Sequence, residues 1–446
     1  MGICKDILSR SSTKLNKRFQ DFLLETLLLY VVIPTKINFL QLGRYSSSSE
    51  QRFRQNFSKK FDWASFNSEL SKEILTGKRK AVAIDPSFIS KSGKKTPHIG
   101  RFWSGCHAKA MRGLEILGVA LIDADNKDCA SLYAVQTPNS KTLEVTNWTL
   151  VDWYLFAIEK QKELLLKLTS YVVADSWFAK STFYQGLNKM GFHLISRFRD
   201  DAHLMYITTE SRTCRKGRPK KFDGKIDFSD LDLTRFEKLN FSYEGHFFSA
   251  IVHSKALNTP VRIVIWFSSK NKTHKLYFST DVEMSGYDVI EIYRSRFQIE
   301  FNFRDAKQHA GLCDSQSRDI DKINFNFNAS LTTVNLAKAY AIKSNKPFSM
   351  ASIKTMMHNA FLLERFIAVS GIKPNRNLND RLFKELIEFT HHLSYIFRNI
   401  IRLNVRSARN EIQFFFFRPS SRIKCLIGHV IGVGFASSKH QQRLID

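Results

Sequence analysis

Short apolar runs and longer amphipathic runs alternate along the middle of the chain. Residues 81–84 are uniformly apolar and predict a buried strand, and residues 113–122 and 130–136 predict two more, paired through the polar turn 123–128. Residues 147–168 have the length and periodicity of a helix. A strand, a helix and a strand are then predicted at 171–174, 179–190 and 192–196. This order predicts an α/β layer that starts with antiparallel strands.

The helical pattern disappears between residues 200 and 284 and then returns. Three stretches there alternate apolar and polar positions or are rich in β-branched side chains, at 247–252, 261–267 and 275–279. They predict a mostly β insertion. Residues 287–309 are periodic again, and the chain is helical in pattern from residue 319 to about 401, whereas residues 414–446 have no clear pattern.

The most apolar stretch near the N-terminus, residues 22–42, raises the question of a membrane segment. It contains Glu25, Pro34 and Lys36, and its uninterrupted part, residues 26–33, is far shorter than a membrane span requires. It also lacks the small-residue cleavage site of a secretory signal. We therefore interpret it as a buried helix that ends near Pro34.

Composition indicates a polyanionic partner. The chain has 446 residues, and 68 Lys and Arg against 41 Asp and Glu give a formal net charge of +27. Such an excess repels itself unless a polyanion neutralises it, and the weak membrane signals favour nucleic acid. The 38 Phe residues supply enough apolar area for a sizeable core.

Cysteine and histidine spacing directs the search for a metal site to carboxylates. The six cysteines include no C-x2-C pair, and the 13 histidines form no H-x3-H pair. This argues against a disulfide scaffold and a zinc module, and it fits a reducing cytoplasm.

These patterns predict five segments. Residues 1–75 form a basic helical segment that binds DNA, although a solvated charged face fits the same pattern. The α/β core begins in 76–199, is interrupted by the β-rich insertion 200–284, and resumes with a helix and the following segment in 285–345. Residues 346–446 form a helical C-terminal region with an unassigned tail.

Two acids, Asp85 and Asp175, each follow a short apolar strand in this reading. Ligand sites of open α/β folds lie at the carboxyl ends of strands, and neighbouring strands are about 5 Å apart, so the two carboxylates can share a divalent cation. The alternative is ordinary, because Asp after a strand is commonly a turn or helix cap.

A third acid lies on a basic helix face. On a helix advancing about 100° per residue, five side chains fall within roughly 60–80° of one another: Tyr293, Arg296, Glu300, Arg304 and Lys307. A lone Glu among cations suits a site that cuts phosphodiesters. A salt-bridged surface helix fits the same spacing, because Arg296–Glu300 and Glu300–Arg304 are i,i+4 pairs.

The spacing Y-x2-R-x3-E-x6-K, filled by Tyr293, Arg296, Glu300 and Lys307, resembles the signature of bacterial insertion-sequence transposases of the insertion sequence four family. Residues 84–87 and 173–178 resemble the motifs around that family's two Asp residues, and residues 311–318 resemble the segment after its Glu. A β insertion between the second Asp and the Glu is a further family trait. The resemblance covers about residues 80–318.

The resemblance implies a DDE transposase with a ribonuclease H-like core, interrupted by the β insertion and flanked by helical N- and C-terminal segments. Asp85, Asp175 and Glu300 would be catalytic and hold two Mg²⁺ (or Mn²⁺) ions, which suit hard oxygen ligands. Tyr293, Arg296, Arg304 and Lys307 would contact DNA phosphates. A tyrosine recombinase, with Tyr293 as nucleophile, would leave the three acids without roles.

The implied partners are the element's terminal inverted repeats and a target duplex, bound by a homodimer in the bacterial cytoplasm at the nucleoid. Arg215 and Arg218, in a basic stretch with a Gly-Arg-Pro core, either follow the minor groove or form a flexible basic loop. Trp266 either packs in the core or stacks on an extruded base. Two other functions remain open, a non-catalytic DNA-binding protein and a ribonuclease H-like nuclease without strand transfer.

Overall fold

The computed structural model describes residues 2–10, 15–208, 220–270 and 273–370, together with residue 387, and within them the protein is mixed α/β. The chain divides into two compact units, one of residues 1–30 and 35–348 and one of residues 31–34 and 349–446. No described helix is both long and apolar enough to cross a membrane.

The described part of the N-terminal segment is helical. Its helices are α1 (Gly2–Arg10), α2 (Lys17–Val32), α3 (Phe39–Tyr45), α4 (Glu50–Asn56) and α5 (Trp63–Ser71). Phe22, Leu23 and Leu27 of α2 are fully buried, and the helix ends two residues before Pro34. The apolar run is therefore a buried helix.

The core alternates strands and helices in the predicted order. Its elements are β1 (Lys80–Ser90), β2 (Gly100–Ser104), β3 (Lys109–Asp123), β4 (Asp128–Gln136), α6 (Ser140–Thr146), α7 (Leu150–Glu159), α8 (Lys162–Leu168), β5 (Tyr171–Val173), α9 (Ser181–Met190) and β6 (His193–Phe198). β3 is antiparallel to β1, β2 and β4, whereas β5 is parallel to β1 and β6. Three details differ from the prediction: β2 and α6 were not foreseen, and the single helix expected over 147–168 is α7 and α8.

The chain between β6 and the next helix is built from short strands. These are β7 (Leu204–Ile207), β8 (Phe222–Lys225), β9 (Glu237–Leu239), β10 (His246–Ser254), β11 (Thr259–Phe267) and β12 (His274–Ser279). β12 pairs with β6, with Leu276 opposite Phe198, so these strands continue the sheet of the core rather than form a separate layer.

Four helices follow: α10 (Gly286–Ser295), α11 (Gln298–His309), α12 (Ile320–Lys343) and α13 (Met350–Ser370). The outer edge of β4 is covered by asparagines of α12. Asn328 exchanges two hydrogen bonds with the backbone of Ala134, at 2.8 and 2.9 Å, and Asn335 does so with Ser131, at 3.0 and 2.7 Å. These bonds satisfy backbone groups that a sheet edge would otherwise leave open.

Candidate active site

Parallel pairing brings Asp85 and Asp175 to the same level of the sheet. Ala83 of β1 is paired with Val173 of β5. Asp85 comes two residues after Ala83, and Asp175 comes two residues after Val173. Neighbouring strands are about 4.8 Å apart. The placement of Asp85 at a strand end was wrong, because β1 continues through Pro86 to Ser90 as the partner of β3.

Asp175 follows the end of β5 and also caps the turn that comes after it. Its Oδ1 accepts a hydrogen bond of 2.9 Å from the backbone N–H of Trp177. Its backbone oxygen accepts one of 2.8 Å from the Ser196 hydroxyl of β6. Asp175 therefore has the capping role that the sequence analysis gave as the alternative to metal binding. The same hydrogen bond fixes the position of its carboxylate beside β1.

Glu300 is carried over β1 by α11, which packs closely on the sheet. Ile299, Phe303 and Ala306 of this helix are buried. Gly118 of β3, opposite Asp85, makes room for it, because a Cβ at this position would lie 2.4 Å from the Phe303 ring. The close approach that Gly118 allows places the start of α11, with Glu300 in its first turn, above the strand that carries Asp85.

The helix expected over 287–309 is divided in two at Arg296 and Phe297. The backbone N–H groups of Ile299 and Glu300 donate to the carbonyls of Arg296 and Phe297, three residues earlier, at 3.2 and 3.1 Å. This tighter turn joins α10 to α11, and its first residue, Arg296, faces the acids.

Arg296 lies between Asp85 and Glu300. Its Nη2 donates to Glu300 Oε1 at 2.9 Å, and its Nη1 lies 3.6 Å from Asp85 Oδ1, an ion pair too long for a hydrogen bond. The side chain is 13% exposed. Burial opposes its charge, but Asp85, Tyr293 and Glu300 outweigh that effect and raise the pKa of Arg296.

The surroundings of Asp85 oppose its ionisation. The pKa of Asp85 is raised to about 7. Burial is the largest cause, and the charges of Glu300 and Asp175 also raise the pKa. Arg296 and Lys307 lower it, but they do not outweigh burial. Like charges gathered in a poorly solvated place favour the protonated form. Glu300 and Asp175 therefore both act electrostatically on Asp85.

Tyr293 and Lys307 also lie near the acids. Tyr293 is half-buried, and burial raises its pKa, as does the charge of Asp175. The Lys307 ammonium donates to the Ser87 hydroxyl at 2.9 Å, which ties α11 to β1 two residues beyond Asp85. Burial lowers the pKa of Lys307, an effect that Asp85 partly opposes.

Arg197 is a residue of the site that the sequence did not reveal. Val173 of β5 is paired with Ile195 of β6, so Arg197 lies level with Asp175 on the next strand. The guanidinium acts on Tyr293 electrostatically. Its buried Nε has no hydrogen-bond partner among the described residues. A buried donor without a partner is costly unless a ligand satisfies it.

Of the remaining sequence candidates, Arg304 and Trp266 have other partners, and the two in the basic stretch cannot be placed. The Arg304 side chain is 56% exposed, lies over the Phe301 ring at 4.7 Å and pairs with Asp305 at 3.6 Å. Arg215 and Arg218 lie outside the described residues. The Trp266 indole donates to the Glu244 carbonyl at 2.8 Å, and Lys275 lies over its ring.

The three acids fit a divalent cation in donor type and in charge. Carboxylate oxygens suit Mg²⁺ and Mn²⁺, and a cation would relieve the repulsion that raises the pKa of Asp85. In the part of the chain that the structure describes, no three His, Cys, Asp or Glu side chains are arranged to hold a metal ion. Arg296 takes the neutralising role, and it would have to release an acid for a metal to bind.

Comparison with protein families places the core in a known group. A family model described as a transposase DDE domain matches residues 76–336, which is more than half of the chain and includes the whole cluster of acids and cations described above. No curated protein matches the chain significantly.

Proposed function

The chain belongs to the DDE transposase family, and we propose that it cuts the ends of a transposable element and joins them to target DNA. The observation that carries this proposal is the gathering of Asp85, Asp175 and Glu300 within a strongly basic protein. A protein that only binds DNA gains nothing from three acids that repel phosphates.

The fold and the helix residues support a finer assignment. An antiparallel β4–β3–β1 set followed by parallel β5 and β6 suits a ribonuclease H-like core. The convergence of Tyr293, Arg296, Glu300 and Lys307 near β1 suits the Y-R-E-K signature of the insertion sequence four family. We assign the chain to that group.

In the proposed reaction Asp85, Asp175 and Glu300 hold the metal. Two bound Mg²⁺ or Mn²⁺ ions would supply the activation of a water or 3′-hydroxyl and the stabilisation of the leaving oxygen. Asp85 must lose its proton to serve as a ligand, so its raised pKa makes metal binding weaker below about pH 7.

The cations and Tyr293 bind the DNA backbone on either side of the cut phosphodiester. Arg296 and Lys307 supply charge within reach of Asp85, and Arg197 supplies a buried donor without a partner among the described residues. Such contacts position DNA without reading its sequence. The raised pKa of Tyr293 disfavours the phenolate that a nucleophile needs, so Tyr293 acts as a phosphate contact. Arg304, Arg215 and Arg218 would add contacts further away.

The wider assembly follows from this reaction. Joining two element ends to one target requires at least a dimer on DNA, with residues 1–75 as a further DNA-binding segment. The substrate places the protein at the bacterial nucleoid, in the cytoplasm.

Strand transfer is the activity that separates this function from its alternatives. The full chain is incubated with Mg²⁺, a labelled fragment bearing the inverted repeats that flank its coding region, and a plasmid target. We expect labelled ends joined to the plasmid. Cleavage without joining would make the protein a nuclease, and binding without cleavage would make it a DNA-binding protein.

A further inference from the structure

A basic cleft of about 640 Å³ opens beyond the end of β1. Three parts of the chain line it: Lys36, residues 90–96, and residues 313–316 with Arg318. Ser90, the last residue of β1, lies five residues beyond Asp85 on the same strand, a distance of about 16 Å. The cleft is therefore next to the acids but separate from them.

The charges of the cleft are strongly unbalanced. Its lining carries Lys36, Lys91, Lys94, Lys95 and Arg318, and its single acid is Asp314. The Asp314 carboxylate already accepts a hydrogen bond of 2.8 Å from the backbone N–H of Ile37. Cations gathered in this way repel one another unless an anion neutralises them.

Four of these cations are available to a ligand. Lys36, Lys94, Lys95 and Arg318 are exposed, and in the described part of the chain none of them forms an ion pair. Surface lysines are ordinary by themselves, but here residues from three distant parts of the sequence converge on one cleft. Several cations along one groove suit a polymer of phosphates better than a single anion.

The walls of the cleft are held in place before any ligand binds. The Lys91 ammonium donates to the Ser315 carbonyl, which joins the two longer walls. The Arg112 guanidinium of β3 donates to the Gly93 carbonyl at 2.9 Å, which ties the turn that presents Lys94 and Lys95 to the sheet. A fixed surface loses less conformational entropy on binding.

Lys307 is near both the acids and the cleft. Lys307, bonded to Ser87 of β1, acts electrostatically on both Asp85 and Cys313, and Cys313 lines the cleft. A DNA strand that passes the acids would therefore meet Lys307 and then the cleft. Phosphates of one strand advance about 3.4 Å along the duplex axis, so 16 Å corresponds to about five base pairs.

We propose that this cleft binds the phosphate backbone of the duplex being cut, about five base pairs from the cut phosphodiester. The proposal rests on the proposed function, since it takes the substrate of the acids as its ligand. It assigns Lys36, Lys94, Lys95 and Arg318 to backbone contacts, which add affinity and little sequence preference.

The first test measures the binding of the full chain to a random-sequence duplex of about 30 base pairs between about 50 and 200 mM salt. The variant is Lys94→Gln with Lys95→Gln. Its control is Lys127→Gln with Lys189→Gln, two exposed lysines that also form no ion pair among the described residues. We expect the slope of log K against log salt to flatten by about 0.9 for each lost contact in the variant and to stay unchanged in the control. An unchanged slope in the variant would overturn the proposal, whether or not the protein cuts DNA.

The second test asks which duplex occupies the cleft. On a DNA that the protein cuts, the variant should need a higher DNA concentration for half-maximal rate and keep its rate at saturation. A substrate that ends about three base pairs from the cut, on the side bound by the cleft, is too short to reach the cleft. On this substrate the variant and the wild type should behave alike. The absence of a defect on the long substrate would assign the cleft to a separate target duplex and overturn the proposal. A defect of equal size on truncated and long substrates would also overturn it, because the cleft would then act without contacting the distant phosphates. Failure of the wild-type chain to cut DNA would instead count against the proposed function.

Discussion

The buried Asp85 should make the stability of the metal-free protein depend on pH in a specific direction. Burial and the neighbouring Glu300 and Asp175 raise its pKa from 3.8 to about 7. Between these two values the unfolded chain releases a proton that the folded protein retains. The free energy of unfolding therefore falls as pH rises from about 4, and the loss is complete above about pH 7.

The size of this loss follows from the pKa shift. A shift of about three units corresponds to about 4 kcal/mol, at roughly 1.4 kcal/mol per unit. The Asp85 side chain is only 18% exposed, so solvent screening reduces the effect little. We take this value as an upper limit, because local rearrangement around the charge lowers it.

Asp85→Asn removes the titration and keeps the size of the side chain. Urea unfolding of the metal-free proteins between about pH 4 and 8 should show the unfolding free energy of the variant rising relative to wild type, by up to about 4 kcal/mol. Contributions of groups that do not interact with Asp85 cancel in this difference. Asp201→Asn, at a position that is 72% exposed, is the matched control. A difference between Asp85→Asn and wild type that stays constant over this range would refute the crowding of acids around Asp85.

Two further predictions concern the packing and the charge of α11. Gly118→Ala should lower the unfolding free energy by about 1–3 kcal/mol in urea unfolding, because the added Cβ would meet the Phe303 ring; no measurable loss would contradict the close approach of α11 to β3. Arg296→Gln and Lys307→Gln should each flatten the salt dependence of duplex DNA binding by about 0.9 in slope, measured by titration across a salt series. Unchanged slopes in both variants would leave these residues as ordinary intramolecular ion-pair and hydrogen-bond partners of Glu300 and Ser87.

The sequence predicted the strands of the core well because buried strands are uniformly apolar. The runs at 81–84 and 171–174 became parts of β1 and β5, and the acids that follow them lie level on adjacent strands. The end of β1 was misplaced at Asp85 because Pro86 looks like a strand terminus. Pro86 stays in β1, opposite Leu117 of β3. On the other side of the strand, β5 pairs with β1 only at Val82 and Ala83, so β5 needs no N–H from Pro86.

Other features depend on pairings that no local pattern reveals. β2 has few buried positions, so its pattern resembles that of a loop. The tight turn at Arg296 keeps nearly helical dihedral angles, and the apolar periodicity runs through it unbroken. Arg197 joins the site only because β6 pairs with β5 in one register, and the basic cleft needs three distant segments to meet.

Asp85, Asp175 and Glu300 should act as one catalytic centre, and Mg²⁺-dependent cleavage of an element end measures this. Asp85→Asn, Asp175→Asn and Glu300→Gln are compared with wild type and with Glu159→Gln, an exposed control acid. Each of the three should abolish cleavage. The affinity for DNA in the absence of metal should stay unchanged in the two Asp variants. In Glu300→Gln it should stay unchanged or increase, because a charge that repels phosphate is removed. Cleavage at the wild-type rate by any one of the three variants would contradict the assignment of that residue to the catalytic centre.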